Sequence, residues 1–217
     1  MSDVLAIIPA RVGSKSIPYK NFTHLHGITP VQRAVDCCYQ AHIRCIVSTD
    51  FEHLAATNWL SMQRPAHLAQ DDTPMIDVVR DFLECFPGPA DEIILLVQPT
   101  QPLRQAKHLI EAVRLMENGA ASVVSVTETI QPEKSYRIES GILTPASSDG
   151  TIERRQDMPL AYRRDGTVYS WRRGKRYFDT YATPLVIPKS ETCELDTPDD
   201  WAIAEVRLAA KEALIRA

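Results

Sequence analysis

The amino-acid sequence predicts an α/β fold in which a mostly parallel sheet is covered by helices on both faces, giving three layers. Three observations carry this expectation. Val4–Ile8 and Ile93–Val97 are continuous apolar runs too short for helices, the pattern of strands buried on both faces. Stretches with helical spacing alternate with such runs from Val4 to Val126, which favours crossover connections and parallel pairing. Three of the chain's Thr-Pro dipeptides, at 29–30, 73–74 and 197–198, each stand just before an apolar periodic stretch, as an N-cap followed by a first-turn proline.

In chain order, Val4–Ile8 is the first strand, and Pro9 ends it. A polar loop from Ala10 to Asn21 leads to a helix through Val31, Val35 and Cys38. Cys45–Ser48 is the second strand, Phe51–Trp59 a short helix, and Thr73–Pro74 opens a helix through Ile76, Val79, Phe82 and Leu83. After the Ile93–Val97 strand, a helix over Ala106–Asn118 stops at Gly119, a residue free to take the left-handed conformation that closes helices. Ser122–Val126 resumes as a strand. Residues 128–166 then carry weak periodicity, many charges and several turn formers, and read as an excursion from the main sheet. Thr167–Trp171 and Leu185–Ile187 return as strands, and Thr197–Pro198 starts a last helix through Ala202, Val206 and Leu214.

Bulk properties narrow the function classes. A chain of 217 residues with 44% hydrophobic content is expected to form one domain, 1–217, around a substantial core. No stretch approaches the roughly 20 apolar residues needed to cross a bilayer. Met1, Ser2 and Asp3 lead straight into the first strand without the basic start of a signal peptide, so a cytoplasmic location is expected. Cys37, Cys38, Cys45, Cys85 and Cys193 are odd in number and show no C-x-x-C spacing, and read as reduced thiols. Histidines 24, 26, 42, 53, 67 and 108 form no ligand pattern. The formal net charge of -4 gives no global attraction to nucleic acid, so an anionic ligand must be held by a local group of cations.

Such a group stands in the first loop, where ligands of α/β sheets gather beyond the strand ends. Arg11, Gly13, Ser14, Lys15, Lys20 and Asn21 offer charge, a hydroxyl and backbone N–H groups suited to a triphosphate. The loop is not the P-loop of ATPases, because G-K-[ST] is absent and Pro18 prevents a helix from starting at the lysine. On residue types alone, a solvated basic loop is the alternative. Glu194 and Asp196 lie two apart before the last helix; an extended segment would place both carboxylates on one side, ready to share a magnesium ion with a triphosphate. The alternative there is stabilisation of the helix dipole behind the Thr197 cap.

The string from Ala10 to Asn21 resembles the signature A-R-x-G-S-K-x-I-P-x-K-N of the acylneuraminate cytidylyltransferases, the CMP-sialic acid synthetases. Matches continue in order: Val47–Asp50; Arg64, Pro65, Ala66; Gln98–Thr100, then Pro102, Leu103, Arg104; Ser122–Val126; Arg155 and Gln156; Arg163, Gly166 and Tyr169; and Asp196, Thr197, Asp200. The stretches Ile17–Asn21 and Gln98–Leu103 look like the sialate branch rather than the related octulosonate synthetases. The resemblance implies a Rossmann-like nucleotide-diphospho-sugar transferase fold. It further implies transfer of CMP from CTP to the anomeric hydroxyl of a sialic-acid-like nonulosonic acid, releasing pyrophosphate.

It also implies residue roles. Arg11, Ser14 and Lys15 would hold the triphosphate, and Lys20 would stabilise the α-phosphate as the leading catalytic residue, with Arg11 and Asp196. Asn21, Arg64 and Thr73 would help place the nucleotide. Gln98, Lys134, Arg155, Arg163, Tyr169 and Phe178 would meet the sugar, and Glu194 with Asp196 would hold magnesium or manganese. Lys134 falls where a related enzyme reaches across a dimer interface, so 128–166 resembles a dimerisation arm, and a homodimer is implied; nucleic-acid and membrane partners are not. The chain departs from the pattern at Val12 and Ser16, often glycine, and at Glu194, usually aspartate. Two other outcomes therefore stand beside the main one: a nucleotidyltransferase for another acidic or amino octulosonate, or a nucleotide-binding homologue impaired in catalysis.

Overall fold

A computed structural model of the protein describes residues 3–52, 58–130, 135–145, 159–176 and 181–216. The apolar runs form the strands expected of them. β1 (Val4–Pro9), β2 (Arg44–Thr49) and β4 (Ile93–Leu96) lie side by side in parallel, and the short β3 (Ser61–Gln63) extends the sheet beyond β2. β5 (Ser122–Thr129), β8 (Ala161–Arg172) and β9 (Thr183–Val186) complete seven strands in the order β3-β2-β1-β4-β8-β5-β9. β8 alone runs antiparallel, against both β4 and β5, while β5 and β9 pair in parallel. A separate hairpin of β6 (Tyr136–Glu139) and β7 (Ile142–Pro145) stands between β5 and β8.

Side chains alternate along the central strands, and the helices cover both faces accordingly. Ala6, Ile8 and Leu95 face α1 (Pro30–Gln40) and α3 (Ala106–Glu117), packing with Val31, Val35, Leu109 and Met116. Leu5, Ile7, Ile94 and Leu96 face the other way, onto α2 (Met75–Cys85) and Trp171 of β8, with Phe82 fully buried among them. A third cluster joins α4 (Pro198–Arg216) to Leu25, Leu103, Cys193 and Leu195 through Ala204 and Leu208. No described helix is long and apolar enough to cross a membrane.

The three Thr-Pro signals resolve differently. Thr29 caps α1, its hydroxyl accepting from the Gln32 N–H at 3.2 Å, with Pro30 in the first turn. Thr197 and Asp200 bond reciprocally at the start of α4, Asp200 N–H to Thr197 Oγ1 at 3.2 Å and Thr197 N–H to Asp200 Oδ2 at 2.8 Å, a capping box. Thr73 does not cap α2: Pro74 is extended and occupies the cap position itself, while the Thr73 hydroxyl donates to His67 O at 3.3 Å. The short helix expected over Phe51–Trp59 falls largely on residues 53–57, outside the described residues; its flanks are not helical, and Phe51 stacks on Phe22 with ring centres 4.5 Å apart. β8 starts at Ala161 rather than Thr167, because Tyr162, Arg163 and Arg164 pair with β5 while their side chains point to solvent and break the apolar pattern. Gly119 closes α3 with φ +97 as expected.

His108, in the first turn of α3, accepts the Gln105 N–H on Nδ1 at 3.3 Å, so Nε2 carries the proton and meets Glu191 at 2.8 Å. Burial pulls its pKa down, and Glu191 only partly restores it, so the contact is a hydrogen bond from a neutral ring. The folded value lies below that of the unfolded chain, about 6.5. The stabilisation is therefore complete above the unfolded value and is lost as pH falls through the folded one. His108→Gln should abolish this acid limb, so that the stability gap between wild type and variant narrows from about pH 8 to about pH 5 in urea titrations; a constant gap would contradict the assignment. Phe82→Ala, emptying the centre of one face, should cost about 3–5 kcal/mol in the same measurement.

Candidate active site

Parallel strands deliver their C-terminal ends to one edge of the sheet, and antiparallel β8 brings its first half to that same edge. The loop after β1 is shaped there by backbone bonds. Ala10 N–H donates to Ser48 O and Val12 N–H to Asp50 Oδ1, at 2.9 and 2.8 Å, which fastens Arg11 beside the end of β2. A tight turn at Tyr19, with φ +51, then directs Lys20 and Asn21 inward. Asn21 ties the loop together, its Nδ2 donating to Arg11 O at 2.9 Å and its carbonyl accepting from Val31 N–H. Its Oδ1 is buried without a hydrogen-bond partner, and the residue borders an open space at the strand ends.

That space is a cavity of about 150 Å³ lined by Arg11, Ser14, Lys20, Asn21, Arg64 and Gln98, among others. Arg64, carried by the end of β3, is buried, with Nε on Ser48 Oγ at 3.2 Å and Nη2 on Ser48 O at 2.7 Å. Burial pushes its guanidinium pKa down to about 10, which leaves it charged at neutral pH. Lys15 extends outside the cavity, exposed, and shares Asp71 with Arg11: Lys15 Nζ at 3.0 Å, Arg11 Nη2 at 2.5 Å. These two cations hold the Asp71 carboxyl below the usual carboxylate range.

The second half of the site comes from the extended segment before α4. Cys193 and Leu195 point into the third core cluster, so Glu194 and Asp196 share the opposite side, as their spacing predicts. Lys20 Nζ donates to Leu195 O at 2.6 Å and stands 3.9 Å from Asp196 Oδ1. Burial lowers the lysine's pKa and Asp196 counteracts it. Arg163 Nη1 meets Glu194 Oε2 at 3.1 Å. The Glu194 carboxyl nevertheless lies above its ordinary range, because burial first and Asp196 second outweigh the arginine. Glu194, Asp196 and Arg163 line a neighbouring concavity of about 560 Å³.

Two carboxylates side by side fit a hard divalent cation that takes its remaining ligands from phosphate oxygens and water. Among the described residues, no three His, Cys, Asp or Glu side chains gather as a protein-only cage. Glu194 and Asp196 are thus suited to a metal that arrives with an anionic substrate.

Of the residues singled out in the sequence, Arg11, Ser14, Lys20, Asn21, Arg64 and Gln98 converge on the first cavity, and Arg163, Glu194 and Asp196 on the second. Tyr169 is half-buried on β8; burial raises its phenol pKa, with Arg164, Glu194 and Asp165 as the charges around it. Thr73 lies off the cavity wall, which Met75 lines instead. Lys134, Arg155 and Phe178 lie outside the described residues. Sequence reasoning assigned no role to Asp71, Gln101, Arg104 or Asp165. Arg104, buried, holds Thr167 O at 2.7 Å and also Gln98 O, and Gly166 (φ +73) lets β8 approach Gln98: a Cβ there would lie 2.8 Å from Gln98 Oε1.

A sequence profile described as cytidylyltransferase matches residues 5–192. The chain is 30% identical over 233 residues to the CMP-N,N'-diacetyllegionaminic acid synthase of Legionella pneumophila, covering 98% of this chain and 99% of that one. It is 26% identical over 215 residues to the N-acylneuraminate cytidylyltransferase of Escherichia coli O18:K1:H7, covering 93% of this chain and 51% of that protein, about half its length. Among solved structures, a CMP:2-keto-3-deoxy-manno-octonic acid synthetase complexed with CTP shares the fold, with a TM-score of 0.70 at 16% identity over 97% of this chain and 100% of the other. The profile spans the β1 loop and the sheet through β9 and stops just short of Glu194 and Asp196; on that extent the chain belongs to the cytidylyltransferase family.

Proposed function

We propose that the chain transfers CMP from CTP to the anomeric hydroxyl of a sialic-acid-like nonulosonic acid and releases pyrophosphate. The observation that carries this reading is the meeting of a cation-lined cavity with a carboxylate pair, joined by Lys20 at 3.9 Å from Asp196. The Legionella relative, matched along nearly its whole length, is named for making such a CMP-sugar.

In this reading the oxygen of the sugar's anomeric hydroxyl bonds to the α-phosphorus, its proton passing to solvent, as the bond to the bridging oxygen breaks and pyrophosphate leaves. No covalent enzyme intermediate is needed, and the chain's work is positioning and charge neutralisation. Arg11, Ser14 and Lys15 hold the phosphates, the two cations exchanging Asp71 for the ligand. Asn21 and Arg64 place the nucleotide, with Asn21 Oδ1 as an acceptor for a ligand N–H or O–H. Lys20 turns from Leu195 O to an α-phosphate oxygen. Gln98, Arg163 and Tyr169 face the sugar, with Arg155, Phe178 and Lys134 as further contacts. Glu194 and Asp196 would hold magnesium or manganese, which would supply additional positive charge for the phosphates.

The protein is proposed to work in the cytoplasm, where its free cysteines would stay reduced. A homodimer is proposed through the β6–β7 hairpin, whose Tyr136, Ile138, Ile142 and Leu143 are all exposed, Ile138 at 76%.

Incubation with CTP, magnesium and a panel of nonulosonic and octulosonic acids should release pyrophosphate, with neuraminic-type acids preferred and UTP, ATP and GTP inactive. CTP binding without turnover on any acid would instead identify an impaired homologue. Lys20→Ala should lower kcat about 10²–10³-fold, and an unchanged kcat would remove Lys20 from the mechanism. Light scattering should show a dimer that Ile138→Asp with Leu143→Asp converts to a monomer; a variant still dimeric would place the interface elsewhere.

A further inference from the structure

We infer that Gln101 is a positioning residue, holding the carboxylate segment and Lys20 in register for the reaction proposed above, on which this inference rests. Gln101 follows β4 and is 2% exposed. Its amide is committed in two directions. Nε2 donates to Asp165 O on β8, and Oε1 accepts from Thr192 Oγ1 at 3.1 Å and from Cys193 N–H at 3.2 Å. The neighbouring Thr100 O accepts Leu195 N–H at 2.9 Å. The segment is therefore stitched to the β4 loop at alternate residues, as an added strand would be, and that alternation turns Glu194 and Asp196 to the same side.

Lys20 depends on the same stitching, because its ammonium bonds Leu195 O, the carbonyl of the residue whose N–H is held by Thr100. The β8 end of the bridge is equally built. Between Val124 and Val126 the β5–β8 register advances two residues on β5 and five on β8, from Tyr169 to Arg164. This bulge frees the Asp165 carbonyl from the ladder and turns it to Gln101. The Asp165 carboxylate fixes the bulge by accepting Thr167 N–H and Oγ1–H at 3.0 and 2.9 Å. Gln101 thus couples a bulge in β8 to two carboxylates and a lysine without touching substrate.

Gln101→Met keeps length and volume while leaving Asp165 O, Thr192 Oγ1 and Cys193 N–H without this partner. Hydrogen exchange in the free protein should quicken across 190–197 and stay unchanged in β1 and β2. Turnover should fall about 10–100-fold in kcat, with a raised magnesium requirement and KM for CTP within about twofold, the pattern of a lost supporting contact. Val79→Ala, in the core on the far face, serves as the comparison: matched for thermal destabilisation, it should retain kcat. Should Gln101→Met fold poorly, Thr192→Val removes one bond and should show the same pattern in smaller degree. Unchanged exchange across 190–197, a kcat loss equalled by Val79→Ala, or a KM for CTP rising in step with the kcat loss would each overturn the inference. If wild type itself turns over no acid, the proposed reaction fails, and exchange alone decides whether Gln101 holds the segment.

Discussion

Lys20 connects the two ends of the chain's chemistry. Its ammonium lies on the carbonyl of Leu195 and beside Asp196, 175 residues along the sequence, and is mostly withdrawn from water. Two carboxylates on one side of an extended segment repel each other, and partial burial sharpens that repulsion. Lys20 attends Asp196 and Arg163 attends Glu194, so each acid has a cation drawn from a different strand end. The remaining machinery follows from keeping this arrangement in place: the β1 loop fastened to β2, Arg64 buried on Ser48, and α4 capped directly behind the acids.

Sheet order makes the arrangement reachable. With β1 and β4 at the centre and β8 next to β4, the first loop, the Gln98–Arg104 loop and the start of β8 all open on one edge. Asp71 offsets part of the charge of the first loop, its carboxylate resting against both Arg11 and Lys15. That carboxylate limits the repulsion that a cluster of bare cations would impose on the fold.

Much of this was legible in the sequence. Central strands declared themselves because burial on both faces removes every polar residue from the run, and the first loop because three cations fall within ten residues of it. The pairing of Glu194 with Asp196 was legible through a period of two. Other features were not. Thr73–Pro74 has the same letters as Thr29–Pro30, yet the hydroxyl found His67 O and the proline became the cap, a choice made by the turn that precedes the helix. The direction of β8 leaves no trace in its pattern, and its first residues look like loop because their side chains meet water. Gln101 and Asp165 work through backbone groups that only the folded sheet brings near. A glutamine in a loop carries no sign of that.

The ends of the excursion between β5 and β8 carry a consequence of their own. Thr129 pairs directly with Ala161, so the chain departs from the sheet and rejoins it at adjacent points on the ladder, above the catalytic edge. A segment so sealed at its base is a cassette: its length and composition can be exchanged without disturbing strand order. Insertions or deletions within it need not alter how β5 pairs with β8.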